Sequence, residues 1–283
     1  MKKFIITSLA TLLLFQFDLV AGEENMGYYR YPSLYGKTIV FTAEGDLWKV
    51  STEGGIAQRL TTHLGQETHA VISKDGKQIA FTATYDGPPE VYLMALNGGL
   101  PKRLTFHGEG SNVVGWSPSG DVIYTTRHFS TVPNYQLVRI DPETLRETLI
   151  PLHQANTGAY DENEETLVFT RLHFQGSPAK RYKGGTAQNL WKFTKGAEEA
   201  IPLTGNYAGT SKDPMWHEGS IYFASDRNGT MNIWSMKDDG TDLKQITDHI
   251  YFDIQDPRIH EDNIIYQIGA DIHIYNISSA TDV

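Results

Sequence analysis

The sequence contains no cysteine among its 283 residues. Disulfide bonds, thiol chemistry and cysteine-ligated metal sites are therefore excluded, and packing alone must hold the fold together. Positive charge is also scarce, because 24 Lys and Arg residues stand against 34 Asp and Glu residues, for a formal net charge of -10. A chain of this charge has no overall positive field to neutralise phosphates, so we expect no nucleic-acid partner.

The N-terminal apolar run is too short to span a bilayer. It covers residues 4–17, or 14 residues, whereas a transmembrane helix needs about 20. Lys2 and Lys3 precede the run, and the small residues Ala21 and Gly22 follow it, as in a cleaved export signal. We predict that residues 1–22 are a signal peptide and that the mature chain is periplasmic or secreted, without membrane contact after cleavage. The absence of cysteine in an exported chain favours a bacterial periplasm.

The remaining composition is typical of many short strands joined by tight turns. Hydrophobic residues make up 40% of the chain, enough to build a core, and 15 Tyr, 12 Phe and 5 Trp accompany 26 Gly. A strand signature with a central aromatic residue recurs at intervals of 40 to 54 residues; its aromatic positions are Phe41, Phe81, Tyr124, Phe169, Phe223 and Tyr266. This interval is close to that of one propeller blade.

A second strand signature follows each copy of the first and opens with a polar residue, at Asp46, Glu90, Gln136, Asn189, Asn232 and Asp271. Glycine-containing turns such as Gly54-Gly55 then precede a third strand, and a short apolar stretch before the aromatic strand supplies a fourth. The fold class is therefore all-β, a six-bladed β-propeller of four-stranded antiparallel blades. It occupies residues 23–283, with blades that start near residues 28, 66, 110, 155, 211 and 254.

The sixth repeat is shorter than the others. The sequence stops at Val283, where the other blades turn into their outermost strand. We therefore expect a sixth blade that is incomplete at the C-terminus, with exposed strand-edge donors, in a chain that is the front part of a longer polypeptide.

Histidine recurs at one repeat position. His63, His107, His153 and His249 each lie 12 residues after an equivalent position of the preceding strand, while the fourth repeat has Asn206 there. A ring of imidazoles is able to bind metal or anions, but blades are spaced too widely for one coordination sphere with bonds of about 2 Å. We favour a structural role, in which each histidine sits in the link between two blades.

No catalytic, cofactor-binding or metal-binding set emerges from the sequence. The segment 116–120, Trp-Ser-Pro-Ser-Gly, lies in a strand-to-strand turn, whereas a nucleophile elbow needs Gly-x-Ser-x-Gly between a strand and a helix. The acidic residues Asp161, Glu162, Glu164 and Glu165 are better explained as a solvated turn than as an acid–base pair.

The loops between the two signature strands differ most from blade to blade. The loop of the fourth blade, residues 171–188, places Lys180, Arg181 and Lys183 together in an otherwise acidic chain. Long loops often carry function. Two roles remain open for these residues: contact with an anionic partner or peptide carboxylate, and packing against a neighbouring domain.

Two segments are similar to the first propeller of tricorn proteases. Residues 28–50, YYRYPSLYGKTIVFTAEGDLWKV, resemble the start of that propeller, and residues 180–191, KRYKGGTAQNLW, resemble its fourth blade. The shorter Ser-Pro-Ser-Gly and Arg-Leu-Thr elements are shared with TolB-like propellers. The resemblance implies a six-bladed propeller that precedes a second propeller, a PDZ-like domain and serine peptidase domains, and that filters or channels peptides.

The resemblance sets two functional hypotheses. In the first, the chain is the gating propeller of an exported tricorn-like serine peptidase; its partners are peptides and the downstream peptidase domains, and the chain alone is inactive. In the second, it is a standalone TolB-like periplasmic propeller that binds a protein or peptide. Neither implies a cofactor, and homo-oligomer formation stays open.

Overall fold

The structure is a computed structural model that describes residues 27–173 and 181–283. The predicted signal peptide, residues 1–22, and Lys180 of the fourth-blade loop lie outside the described residues. Within the described ranges, no helix is long and apolar enough to cross a membrane.

The chain forms 24 strands in six groups of four. The innermost strands are β1 (Arg30–Tyr35), β5 (Glu67–Ile72), β9 (Ser111–Trp116), β13 (Thr157–Tyr160), β17 (Ser211–His217) and β21 (Ile254–His260). The second strands are β2 (Thr38–Ala43), β6 (Gln78–Ala83), β10 (Val122–Thr126), β14 (Thr166–Thr170), β18 (Ser220–Ser225) and β22 (Asn263–Ile268). The third strands are β3 (Asp46–Ser51), β7 (Glu90–Ala95), β11 (Gln136–Ile140), β15 (Leu190–Thr194), β19 (Asn232–Lys237) and β23 (Asp271–Asn276). The outermost strands are β4 (Gly54–Arg59), β8 (Lys102–Arg103), β12 (Glu147–Leu149), β16 (Ile201–Pro202), β20 (Lys244–Gln245) and β24 (Thr281–Asp282).

Each group of four consecutive strands forms one antiparallel sheet in chain order. The six sheets are the blades of a ring, which confirms the predicted all-β, six-bladed propeller. The sixth blade is short at its C-terminal edge: its outermost strand, Thr281–Asp282, is as short as β8, β16 and β20, and Val283 alone follows it in the described chain. Val283 extends this edge through backbone bonds to Ile274 of 2.8 and 3.1 Å.

Burial is highest in the second strands and lowest in the outermost strands. All five residues of β10 are buried, whereas five of the six residues of β4 are exposed. Both faces of a second strand pack against neighbouring blades, as Val40 and Phe81 do within one cluster between the first two blades. This two-sided packing explains why the aromatic signature is a continuous apolar run rather than a strict alternation.

A threonine at the end of the outermost strand ties that strand to the third strand of its blade. The hydroxyl of Thr105 accepts a 2.9 Å hydrogen bond from the backbone N–H of Val91, and that of Thr247 accepts one of 2.9 Å from Ile233. The Thr247 hydroxyl also donates to the side-chain oxygen Oδ1 of Asn232 at 2.9 Å. In the second, fourth and fifth blades, the polar residue that opens the third strand (Glu90, Asn189 or Asn232) is thus hydrogen-bonded to the recurring threonine.

Five of the six innermost strands contain a bulge, and β13 is the exception among the described strands. In β1, β5, β17 and β21, two residues oppose one residue of the second strand, and the first of the two has positive φ: Tyr31 (52°), His69 (52°), Asp213 (52°) and Asp256 (49°). Non-glycine residues rarely adopt this backbone conformation. Because bulges redirect side chains and free backbone groups from the ladder, they shape the lining of the ring's centre.

Candidate functional site

A cavity of about 920 Å³ lies on the axis of the ring, because all six innermost strands contribute to its lining. It opens on the face that carries the links between blades and the loops between second and third strands, which we call the link face. The opposite turn face carries the turns between first and second strands. A cavity of this size is within the usual range for small ligands.

The side chain of Arg258 crosses the ring beneath this cavity. Its Nη1 atom donates a 2.8 Å hydrogen bond to the backbone carbonyl of Val114, which belongs to the third blade, opposite the sixth. Val114 is the extra residue of a bulge in β9, so its carbonyl is available to a partner outside the sheet. The Arg258 Nε atom is buried and has no hydrogen-bond partner within the described residues.

Titratable side chains from the innermost strands of four blades form, with Arg258, what we call the floor cluster: Arg30, His69, Lys212, Asp213, Asp256 and Arg258. Lys212 Nζ lies 3.0 Å from Asp213 Oδ2. Arg30 is near enough to act electrostatically on both His69 and Asp256. Burying unpaired charge is costly, so a ring built only for packing would fill this position with apolar residues.

Two members of the floor cluster have strongly shifted pKa values. Burial raises the pKa of Asp256 from 3.8 to about 6, against the opposing effect of Lys212. Burial, followed by the positive charge of Arg258, lowers the pKa of His69 from 6.5 to about 4. At neutral pH His69 is therefore uncharged, and the floor cluster carries three cations and two carboxylates.

The predicted basic loop reaches the mouth of the cavity in part. Arg181 and Tyr182 line it, and Arg181 Nε donates a 2.9 Å bond to the carbonyl of Gly229 in the fifth blade. A Cβ atom at Gly229 would lie 2.7 Å from Arg181 Nη2, so glycine there permits this contact. Lys183 is exposed. The role of Lys180, Arg181 and Lys183 in partner contact remains a prediction.

The four recurring histidines all lie in links between blades, on the link face. His107 Nε2 is 3.2 Å from Tyr124 Oη and 2.9 Å from Glu147 Oε1. His249 Nε2 is 3.0 Å from Tyr266 Oη, and its backbone N–H donates to Asn232 at 2.8 Å, which joins blades five and six.

The other two histidines differ in their surroundings. The ring of His63 lies 4.1 Å from that of Tyr85, and its Nδ1 accepts a 2.9 Å bond from the Gly65 N–H. His153 lies in the link after Ile150. The structure does not bring these histidines together, and none of the four lines the axial cavity. In the described ranges, no group of three or more His, Asp or Glu side chains is placed to hold a metal ion.

The serine segment and the acidic cluster both lie in turns on the turn face, away from the cavity mouth. Ser117 Oγ accepts a 3.0 Å bond from the Asp121 N–H within its own turn. Glu164 accepts from Arg139 Nη1 at 2.9 Å, and Glu162 accepts from Trp216 Nε1 at 2.8 Å. These carboxylates join neighbouring blades.

Sequence reasoning did not select the floor cluster. A signal was present, because Asp213-Pro214 and Asp256-Pro257 occur at the same point of two innermost strands, beside Lys212 and Arg258. Charged residues within a strand expected to face the ring centre mark a polar channel. Their partners come from other blades, however, and no spacing along the chain predicts that Arg258 meets Val114.

Comparison with known proteins assigns the propeller to a family. Residues 26–281 match the tricorn protease N-terminal β-propeller domain. The chain belongs to this family. Among curated tricorn relatives, tricorn protease homolog 1 of Streptomyces coelicolor is 32% identical over 222 residues, which cover 78% of this chain and 21% of the relative.

Solved structures share the propeller fold of this chain. The crystal structure of the tricorn protease superposes with a TM-score of 0.82 at 22% identity, covering 91% of this chain and 26% of that one. TolB from Acinetobacter baumannii superposes with a TM-score of 0.58 at 18% identity, covering 75% and 52%. The chain thus spans about a fifth to a quarter of the length of these tricorn proteins.

Proposed function

We propose that this chain is the N-terminal propeller module of a tricorn-like serine peptidase and that it gates or channels peptides through its axial cavity. The observation that carries the proposal is the cavity of about 920 Å³ on the ring axis, crossed at its floor by Arg258. Its lining of polar groups and half-buried aromatic side chains suits an extended peptide, whose backbone needs hydrogen-bond partners. The peptidase chemistry belongs, in this proposal, to other domains of the enzyme.

The test measures peptide binding to the purified chain by fluorescence anisotropy with short dye-labelled peptides. Thr186 lines the cavity and is exposed, so Thr186→Trp places a bulky ring at the mouth. We expect this variant to weaken peptide binding at least about five-fold, since the indole occupies space the peptide needs.

The matched control is Thr52→Trp, which adds the same ring to an exposed turn on the turn face. This variant should bind peptides as the wild-type chain does. Absence of saturable binding by the wild-type chain, or equal effects of the two substitutions, would count against channelling.

A second function, docking of a protein partner as in a standalone TolB-like propeller, is favoured by exposed apolar side chains on the link face. Ile250, Tyr251 and Phe252 are 70%, 81% and 62% exposed in the link before β21, and Leu64 and Phe106 are exposed in two other links. In the tricorn-like proposal, the same face meets a neighbouring peptidase domain. Replacing Tyr251 and Phe252 by Ser separates the roles, because it should weaken domain docking while peptide binding in the cavity stays unchanged.

Export to the periplasm is a separate proposal, supported by the N-terminal signal in the sequence. N-terminal sequencing of the mature protein tests it. Chains that begin at Gly22 or Glu23 in a periplasmic fraction support export, and intact chains in the cytoplasm would contradict it.

A further inference from the structure

We propose that the floor of the axial cavity is a carboxylate-binding site, in which Arg258 and Lys212 anchor one carboxylate group of a bound peptide. This inference rests on the proposed function, because it names the chemical group by which a channelled peptide is recognised. Its evidence is independent of the family resemblance and comes from the donors, burial and charge of the floor cluster.

A hydrogen bond that uses one of its N–H groups holds the Arg258 side chain in place. Its bond from Nη1 to the Val114 carbonyl uses one of five N–H groups and fixes the plane of the guanidinium. The Nε atom is buried without a hydrogen-bond partner in the part of the chain that the structure describes. A guanidinium N–H that donates to a carboxylate forms a charge-assisted hydrogen bond, roughly twice as strong as one between neutral groups.

Lys212 supplies a second cation in the lining of the same cavity. Its side chain is 18% exposed, and its ammonium group lies 3.0 Å from Asp213 Oδ2. An ammonium has three N–H donors, so one carboxylate neighbour does not exhaust it. The two cations come from neighbouring innermost strands, β17 and β21, and both side chains line the cavity.

The charge balance of the floor cluster favours a singly charged anion. Arg30, Lys212 and Arg258 contribute three positive charges, whereas Asp213 and Asp256 contribute at most two negative charges. The excess is confined to the floor, because Asp226 and Asp253 line the cavity nearer its mouth. Asp226 Oδ1 there already accepts bonds from Tyr207 Oη at 2.9 Å and the Thr210 N–H at 2.8 Å.

The experiment compares peptides that differ only at the carboxylate. The wild-type chain is titrated with an N-terminally labelled neutral peptide as the free acid and as the C-terminal amide. We expect the acid to bind at least about ten-fold more tightly, which is equivalent to about 1.4 kcal/mol. A third peptide has an amidated C-terminus and one Glu residue, so its only carboxylate is on a side chain. Tight binding of this peptide would show that the site also accepts a side-chain carboxylate.

Substitutions at Arg258 test whether this residue causes the preference for the free acid over the amide. Arg258→Gln removes the charge and the fork but keeps a donor for the Val114 carbonyl, and it should abolish the preference for acid over amide. Arg258→Lys should retain part of that preference. Arg146→Gln, at an exposed arginine of the outer edge, should leave it intact. The acid–amide comparison on the wild-type chain needs no variant, so a misfolded variant does not remove the test.

The outcomes separate this inference from the proposed function. If acid and amide bind the wild-type chain equally well, peptide binding stands and the carboxylate site is wrong. If Arg258→Gln folds normally and keeps the preference, the site lies elsewhere. If no peptide binds saturably, channelling itself is contradicted.

Discussion

At the scale of single residues, Asp256 and His69 are buried groups whose pKa values move in opposite directions. The folded chain binds a proton at Asp256 below about pH 6, whereas the unfolded chain does so only near 3.8. At His69 the unfolded chain binds a proton near 6.5 and the folded chain only near 4. As the pH falls from 6.5 to 4, Asp256 therefore raises the free energy of unfolding and His69 lowers it. The two effects offset each other in the wild-type chain.

Single substitutions should expose each effect. In Asp256→Asn only the His69 effect remains, so the free energy of unfolding should fall as the pH drops, by up to about 1.4 kcal/mol per pH unit. In His69→Gln only the Asp256 effect remains, so the free energy of unfolding should rise over the same interval. Denaturant unfolding across this pH range measures both slopes. The charged neighbours Arg30, Lys212, Asp213 and Arg258 are unchanged in both variants.

The exposed substitution Asp271→Asn serves as the control and should reproduce the wild-type pH profile. Parallel profiles for all four proteins would show that neither buried group titrates within this window.

At the scale of elements, the threonine that follows the outermost strand in four of the blades, Thr61, Thr105, Thr204 or Thr247, accepts a buried hydrogen bond that stabilises its blade. Thr247→Val keeps the shape of the side chain but removes the acceptor for the buried N–H of Ile233. We expect a loss of about 1–3 kcal/mol, since an unsatisfied buried donor carries its full desolvation penalty. Thr148→Val, on the exposed strand β12, should change the free energy of unfolding by less than about 0.5 kcal/mol. Urea denaturation distinguishes the two, and equal effects would show that the buried bond contributes little.

The strands and their order were predictable from the sequence, whereas the site was not. Phe41, Phe81 and the later aromatic positions mark second strands because both faces of those strands must be apolar. The innermost strands carry a weaker pattern, since bulges break their alternation of buried and exposed residues at Tyr31 and His69. The contact of Arg258 with Val114, 144 residues apart, exists only after the ring has closed.

At the scale of the whole molecule, the ring closes through side-chain packing between its first and last blades. The strands β1–β4 form one sheet and β21–β24 another, so neither end of the described chain contributes a strand to the other's blade. The seam between the two blades contains the buried residues Leu34, Ile39, Phe41 and Ile265. Among residues 27–173 and 181–283, one backbone bond crosses it, from the Tyr29 N–H to the Ala270 carbonyl, at 3.1 Å. The other blade interfaces, by contrast, are joined by a continuous chain link.

This difference predicts where the ring opens. Ile265→Ala and Ile79→Ala each empty a fully buried site, at the seam and between the first two blades respectively, and each should cost about 2–5 kcal/mol. Only Ile265→Ala should accelerate hydrogen exchange in β1, β21 and β22 beyond that in β9, because separation of the unlinked seam is a local opening that leaves the other blades folded. Mass spectrometry that resolves hydrogen exchange to single strands measures these rates in both variants. Uniform acceleration in both variants would mean that the ring unfolds as one unit and that the seam is as strong as the linked interfaces.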